Sequence, residues 1–231
     1  MPDSPRLATV LRLGGCYTVD YVHRLARQLK EHYPAFMPLY CLTDANDDEF
    51  DKTLILPLPL LERWPGWWAK LNLFSQHYFG AAPVVYFDLD TFILKSITPL
   101  IRDIAEASQH CDLVLLSDVS GNGKMATGVM GWQSSSFTDK LFAHFASNPA
   151  KWMSEFSDGG DQHYLRAYYD EIGGTWARIQ SITDVEAIVS YKWEAPIQPP
   201  PMARVCVFHG HPRPHEVETG WAAEHWKKYA C

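Results

Sequence analysis

The chain has 231 residues, 47% of them hydrophobic and 20% charged, which suits one large domain with a substantial core and excludes wholesale disorder. Lys plus Arg is 20 against 27 for Asp plus Glu, and the net charge of -7 without a basic run argues against nucleic acid as a partner. No apolar run has the length of a transmembrane segment, and Met1-Pro2-Asp3-Ser4-Pro5 lacks the charged start and apolar core of a signal peptide.

Leu7 to Leu13 is an apolar run that reads as a first strand, broken by Gly14-Gly15. Val22, Leu25, Ala26 and Leu29 share one face of a helix predicted over Val19 to Tyr33, which Pro34 ends. Phe36 to Leu42 reads as a second strand, so the chain opens strand-helix-strand, the start of an open α/β sheet. Thr43 to Asp48 is polar and turn-like, and Thr53 to Leu60, with two prolines, is a short third strand or an extended loop. Trp68, Leu71, Phe74 and Tyr78 give Trp67 to Tyr78 a helical spacing. Val84-Val85-Tyr86-Phe87 is a continuous apolar run, typical of a buried central strand. Asp112 to Leu116 and Thr127 to Trp132 read as further strands, and Ser134 to Ala146 and Asp161 to Tyr169 as helices. Arg204 to Phe208 is a late strand running into His209-Gly210-His211-Pro212-Arg213-Pro214-His215. Pro196 to Pro201 is linker-like but too short to mark a second domain, and Trp221, Trp226 and Tyr229 with Lys227 and Lys228 read as a segment packed on the core, with a docking helix for a partner or a membrane surface as the alternative. Cys16, Cys41, Cys111, Cys206 and Cys231 are scattered without a C-x-x-C pair, which fits a reduced, cytoplasmic protein whose thiols mostly fill the core.

Asp88-Leu89-Asp90 follows the central apolar run at its carboxyl end, where ligands of open α/β sheets sit. Two carboxylates at i and i+2 beyond a strand can converge on a divalent cation, and oxygen ligands suit Mg²⁺ or Mn²⁺. Such an ion would offset the charge of a departing diphosphate. Two other readings fit the same residues. The carboxylates can cap a turn, or V-V-Y-F-D-L-D-T can be the nucleophile motif of a haloacid-dehalogenase-like phosphatase, with Asp88 attacking phosphorus and Ser117, Lys124 and Asp161 in supporting roles. Against the phosphatase, a whole strand-helix-strand unit precedes the motif, and the His-rich segment stays unexplained.

Four blocks and a late motif carry a resemblance to a known family. They are W-W-A-K-L-N-L-F (Trp67 to Phe74), V-V-Y-F-D-L-D-T-F-I-L (Val84 to Leu94), A-T-G-V-M-G-W (Ala126 to Trp132), G-G-D-Q-H-Y-L (Gly159 to Leu165) and F-H-G-H-P-R-P (Phe208 to Pro214). In this order they resemble the glycogenin-like and bacterial lipopolysaccharide-galactosyltransferase-like glycosyltransferases, over roughly residues 8 to 215. The resemblance implies a single-domain α/β GT-A-like fold, a Rossmann-like open mixed sheet flanked by helices. It spans residues 1–231, with a nucleotide-binding part about 7–95 and an acceptor-side part about 96–231. It implies metal-dependent transfer of a sugar from a nucleotide diphosphate sugar, UDP-linked, to a glycan, lipid or protein acceptor with retention of configuration.

The resemblance also assigns residues. Asp88, Asp90 and His209 would bind Mn²⁺ (or Mg²⁺), and Lys70 and Arg213 would neutralise the diphosphate. Asp161 and Gln162 would face the sugar and the acceptor as catalytic residues. Arg12, Leu13 and Tyr17, with Asp44 assisting, would hold uracil and ribose, while Leu89 and Gly210 belong to the donor-binding motifs. The sequence departs from the family in three places. Ala126 stands where the family has Asn, Arg213 stands where it has Lys, and His209 directly precedes Gly210, so His211 or His215 are alternative third ligands. Bland readings stand beside these: Lys70 reaching to solvent from a Trp-rich helix, Asp161 as a helix N-cap, and the histidines as a surface cluster. A non-catalytic nucleotide or sugar binder of the same fold is a further alternative.

Overall fold

The computed structural model describes residues 4–118 and 124–230; residues 1–3, in the stretch read for a leader, and Cys231 lie outside the described residues. In chain order the first half comprises β1 (Arg6–Leu11), α1 (Val19–His32), β2 (Leu39–Thr43), β3 (Ile55–Pro59), a 3-10 helix (Gly66–Phe74), α2 (Gln76–Phe79), β4 (Val84–Phe87), β5 (Thr91–Ile93) and α3 (Thr98–Ala107). The second half comprises β6 (Leu113–Ser117), β7 (Met125–Trp132), α4 (Ser136–Ser147), α5 (Pro149–Glu155), α6 (Gly160–Ile172), β8 (Trp176–Arg178), α7 (Ile179–Ile182), β9 (Ile188–Ser190), β10 (Val205–Val207) and α8 (Gly220–Lys228).

Seven strands form the main sheet in the order β3-β2-β1-β4-β7-β6-β8. β1 is parallel to β2 and β4, whereas β7 runs antiparallel to both β4 and β6. The sheet is buried on both faces, which explains the unbroken apolar run in β4. Val85 and Phe87 pack with α1, α3 and α7, while Val84 and Tyr86 pack with the 3-10 helix, α4 and α6. A smaller sheet, β5-β10-β9, follows directly from the D-x-D segment, and β5 and β10 are antiparallel. The main sheet crosses the expected boundary near residue 95, because β4 from one part pairs with β7 from the other.

The expected regular helix over Trp67 to Tyr78 is instead the nine-residue 3-10 helix, an extended Ser75, and the single turn α2. Trp68 to Phe74 are all buried, so the segment has no polar face to leave in water. Asn72 fixes the tighter winding. It donates to the carbonyls of Glu62 and Ala69 at 3.0 Å and accepts from the Glu62 amide at 2.9 Å. α6 begins at Gly160 with Gly159 as its N-cap, which places Asp161 inside the first turn rather than at the cap. The C-terminal aromatic segment is a helix packed on α1. The Trp226 ring centroid lies 4.5 Å from that of Tyr21, and the Arg24 guanidinium sits over Trp226 at 4.1 Å. No helix among the described residues is long and apolar enough to cross a membrane.

Gly131 of β7 is a packing requirement, since a Cβ there would collide with the buried Ile104 side chain of α3. Gly131→Ala is expected to destabilise the protein by about 1–3 kcal/mol through overpacking. Urea denaturation should show a lower midpoint with an unchanged slope.

Candidate functional site

Four strand ends meet along one edge of the sheet, and β4 decides which way each carboxylate points. The ladder continues one step past β4, where the Asp88 amide donates to the Gly128 carbonyl at 2.9 Å. Asp88 therefore keeps the parity of Val84 and Tyr86 and points toward the 3-10 helix and α6. The Tyr86 hydroxyl donates to Asp88 Oδ1 from two residues before it. Lys70 Nζ stands 3.0 Å from Asp88 Oδ1 and 3.3 Å from Asp161 Oδ2. Thr127 completes the group, donating from Oγ1 to Asp161 Oδ2 at 2.9 Å and lying 3.2 Å from Lys70 Nζ.

Thr127 reaches this position because β6 and β7 pair irregularly. Leu115 opposes Met130 but Leu116 opposes Ala126, so Thr127 to Val129 are skipped by β6. Such a bulge re-aims side chains, here into the site. Asp90 points the other way, and Tyr17, two residues before α1, donates to its Oδ2 at 2.6 Å. The pairing of Thr91 with Val207 then sets the late part of the chain beside it, and the Phe208 amide donates to the Asp90 carbonyl at 3.3 Å. Sheet register, not sequence proximity, thus brings His209 to the site.

These groups line a cavity of about 740 Å³. Lys70, Asp88, Leu89, Asp90, Asp161 and Gln162 are on its wall, together with Arg12, Leu13 and Tyr17. His209, Gly210 and Arg213 close it from the far side of the sequence. Asp44 stands behind rather than on the wall. It pairs with Arg12 and accepts from the Leu13 amide at 2.8 Å, fixing the chain just after β1. Arg213 packs over the Tyr17 ring at 5.2 Å and donates to Cys16 Sγ, so Cys16 is a cavity residue rather than core filler. Of the three candidate histidines, His209 alone is on the cavity wall among the described residues. His211 is exposed and pairs with Glu216 at 2.8 Å, and His215 Nδ1 meets the Tyr21 hydroxyl. His209 Nε2 is 2.7 Å from Ser190 Oγ, and burial, with Lys192 second, holds its pKa below the ordinary value, so its ring is neutral at pH 7. Sequence reasoning missed Thr127, Tyr86, Cys16 and Ser190 as site residues; only the polar Thr127 inside an apolar strand gave a visible signal.

The charge balance of the site is unequal. Burial pulls the Lys70 pKa down, but Asp161 and Asp88 together outweigh it and hold the ammonium protonated well above neutrality. Asp88 is pushed up by burial despite Lys70. Asp90 is pushed up to about 7, first by burial and then by the Asp88 charge. Asp88 and Asp161 thus share the Lys70 ammonium, while Asp90 has no salt-bridge partner among the described residues, which is a setting that favours an added cation. Among the described residues no three His, Cys, Asp or Glu side chains are gathered as a ready metal site. The fit to a divalent cation therefore rests on the Asp88–Asp90 pair.

No family model and no curated protein matches the sequence. Solved structures match the fold. The galactosyltransferase LgtC, in complex with donor and acceptor sugar analogues, aligns with a TM-score of 0.65 at 15% identity, over 97% of this chain and 94% of its own. The glycosyltransferase GlyE of Streptococcus pneumoniae aligns with a TM-score of 0.66 at 12% identity, over 97% of this chain and 60% of that longer one. The chain has the GT-A fold. In this GT-A frame the haloacid-dehalogenase-like reading of Asp88 is not favoured, and the lysine paired with Asp88 is Lys70, from the block before it.

The raised pKa of Asp90 has a consequence for stability. A carboxylate whose folded pKa lies above its unfolded value stabilises the fold only at low pH, and the contribution is lost as pH rises through about 7. Asp90→Asn removes the buried charge and is expected to stabilise the metal-free protein at pH 8 by on the order of a few kcal/mol. The gain should vanish near pH 4, as measured by chemical denaturation with a chelator present.

Proposed function

We propose that the protein is a metal-dependent glycosyltransferase that moves a sugar from a UDP-sugar to a glycan, lipid or protein acceptor with retention. The observation that carries this reading is the buried Lys70 ammonium, shared by Asp88 and Asp161 on the wall of a cavity at the strand ends of a GT-A fold. A cation held by Asp88 and Asp90, Mn²⁺ or Mg²⁺, would supply positive charge to the leaving diphosphate, with neutral His209 as the wall histidine suited to join them.

The protein's own residues account for the remaining steps. Arg12, locked by Asp44, and the ordered Leu13 backbone present a rigid edge for uracil and ribose beside Tyr17. Lys70 stays protonated at every working pH, so it offers a fixed charge to the developing diphosphate, and Arg213 adds a second. Asp161, oriented by Thr127, and Gln162 face the sugar. The bond between the anomeric carbon and the diphosphate oxygen breaks with its electron pair leaving on the diphosphate. The acceptor oxygen bonds to that carbon from the same face, and its proton passes to the departing diphosphate.

Calorimetry should detect UDP binding that needs Mn²⁺ and is lost in Asp88→Ala and Asp90→Ala. Equal binding with and without Mn²⁺ would sink the metal-dependent reading. Lys70→Ala should lower turnover of the accepted UDP-sugar by about 10²–10³-fold, the usual cost of one preorganised charge on a leaving group. If no UDP-sugar in a panel is even slowly hydrolysed while UDP binds, the protein is a binder and not an enzyme. Proton NMR of the first product formed reads the anomeric configuration.

A further inference from the structure

Trp67 stands apart from its aromatic neighbours. Trp64 and Trp68 are each 6% exposed and pack on Phe145, with centroids at 4.6 and 5.3 Å. Trp67, adjacent in the chain, is 54% exposed and lies on the cavity wall. The 3-10 winding explains the difference. With three residues per turn, positions i and i+3 eclipse, so Trp67 projects from the same side as Lys70 while Trp68 turns into the core.

The indole is also held in place from one side only. Gly160 adopts φ +60, and a Cβ built there would stand 2.4 Å from Trp67 Nε1 and 2.6 Å from both flanking carbons, Cδ1 and Cε2. Three adjacent ring atoms at nearly equal distance mean that the glycine lies against the face of the ring. An approach along the N–H edge would leave the flanking carbons clearly farther than the nitrogen. One face is therefore seated on Gly160, and the exposed area belongs to the other. Gly160 directly precedes Asp161 and Gln162, and these two residues and Trp67 line the same cavity.

We propose that Trp67 is a stacking platform for the apolar face of a hexopyranose ring bound in the cavity. The inference rests on the glycosyltransferase reading above. A hexopyranose presents a face of C–H groups that packs on the electron-rich face of an indole, while its hydroxyls need partners such as Asp161 and Gln162 at the rim. A flat ring fixed on one side loses little freedom when a sugar covers the other, which favours binding. The ring it receives belongs either to the donor's sugar or to the acceptor glycan.

The test follows the Trp67 indole N–H signal in ¹⁵N-labelled protein with Mn²⁺, assigned by its loss in Trp67→Phe. One arm adds UDP, a second adds UDP-glucose or UDP-galactose, and a third adds maltose, cellobiose or melibiose at saturating UDP. A shift with a UDP-sugar beyond that with UDP assigns the platform to the donor, and a shift with a disaccharide assigns it to the acceptor. Trp67→Leu, which keeps bulk without an aromatic face, is expected to weaken that sugar-bearing ligand about ten-fold, worth one aromatic contact. Trp67→Phe should restore most of the loss, and UDP affinity should stay unchanged in both. A signal that responds alike to UDP and UDP-sugars and to no disaccharide overturns the inference while leaving the glycosyltransferase reading intact. Failure of UDP itself to bind overturns that reading and this inference with it.

Discussion

Burying an ammonium is expensive, and the site is organised around the way Lys70 is compensated. Two carboxylates and a threonine surround it, and each comes from a different part of the chain: Asp88 from the end of β4, Thr127 from the bulge of β7, Asp161 from the first turn of α6. Removing either carboxylate leaves the ammonium with a single ion-pair partner, and removing the threonine takes a hydrogen bond from Asp161. The same group fixes the sheet edge, the 3-10 helix and α6 relative to one another. The cavity wall is consequently set before any ligand arrives, the condition under which fixed charges act on a leaving group without reorganising.

The second carboxylate obeys a different logic. Asp90 is held by Tyr17 alone among the polar side chains that contact it in the described residues, and it bears the repulsion of Asp88. One carboxylate of the pair is satisfied by protein and the other is left short of positive charge. That asymmetry could not be read from the spacing of two aspartates.

The parts of the fold legible in the sequence are those where burial writes a local pattern. The double-sided burial of β4 produces its apolar run, and the single buried face of α1 produces its helical spacing. Lys70, Asp88, Asp90, Asp161 and Arg213 were visible through resemblance, and all are on the cavity wall. The rest depends on long-range pairing. β5 and β9 have three residues each, too few for a period to emerge, and the bulge that delivers Thr127 exists only in the register between β6 and β7. The 3-10 helix reads as an ordinary helix because both periods put similar residues inward. Only the burial of Trp68 to Phe74 and the Asn72 bonds select the tighter form. Among the three histidines offered by the sequence, the pairing of β10 with β5 puts His209 alone on the cavity wall among the described residues.

The route of the chain through the site sets when the site can exist. Tyr17 lies two residues before α1, Arg213 comes almost two hundred residues later (197 positions after Cys16), and the two pack against each other. α8 fastens the same region by laying Trp226 on Tyr21 and pairing Lys228 with Glu31 at 2.7 Å. Contacts of such long range form late, after the loop they close has lost its freedom. During synthesis the β1 to β4 half can therefore collapse and build its part of the main sheet while the cavity still lacks its closing wall. A ribosome-bound or prematurely ended chain would hold Asp88 and Lys70 but not Arg213, and so would carry an open cleft in place of the cavity.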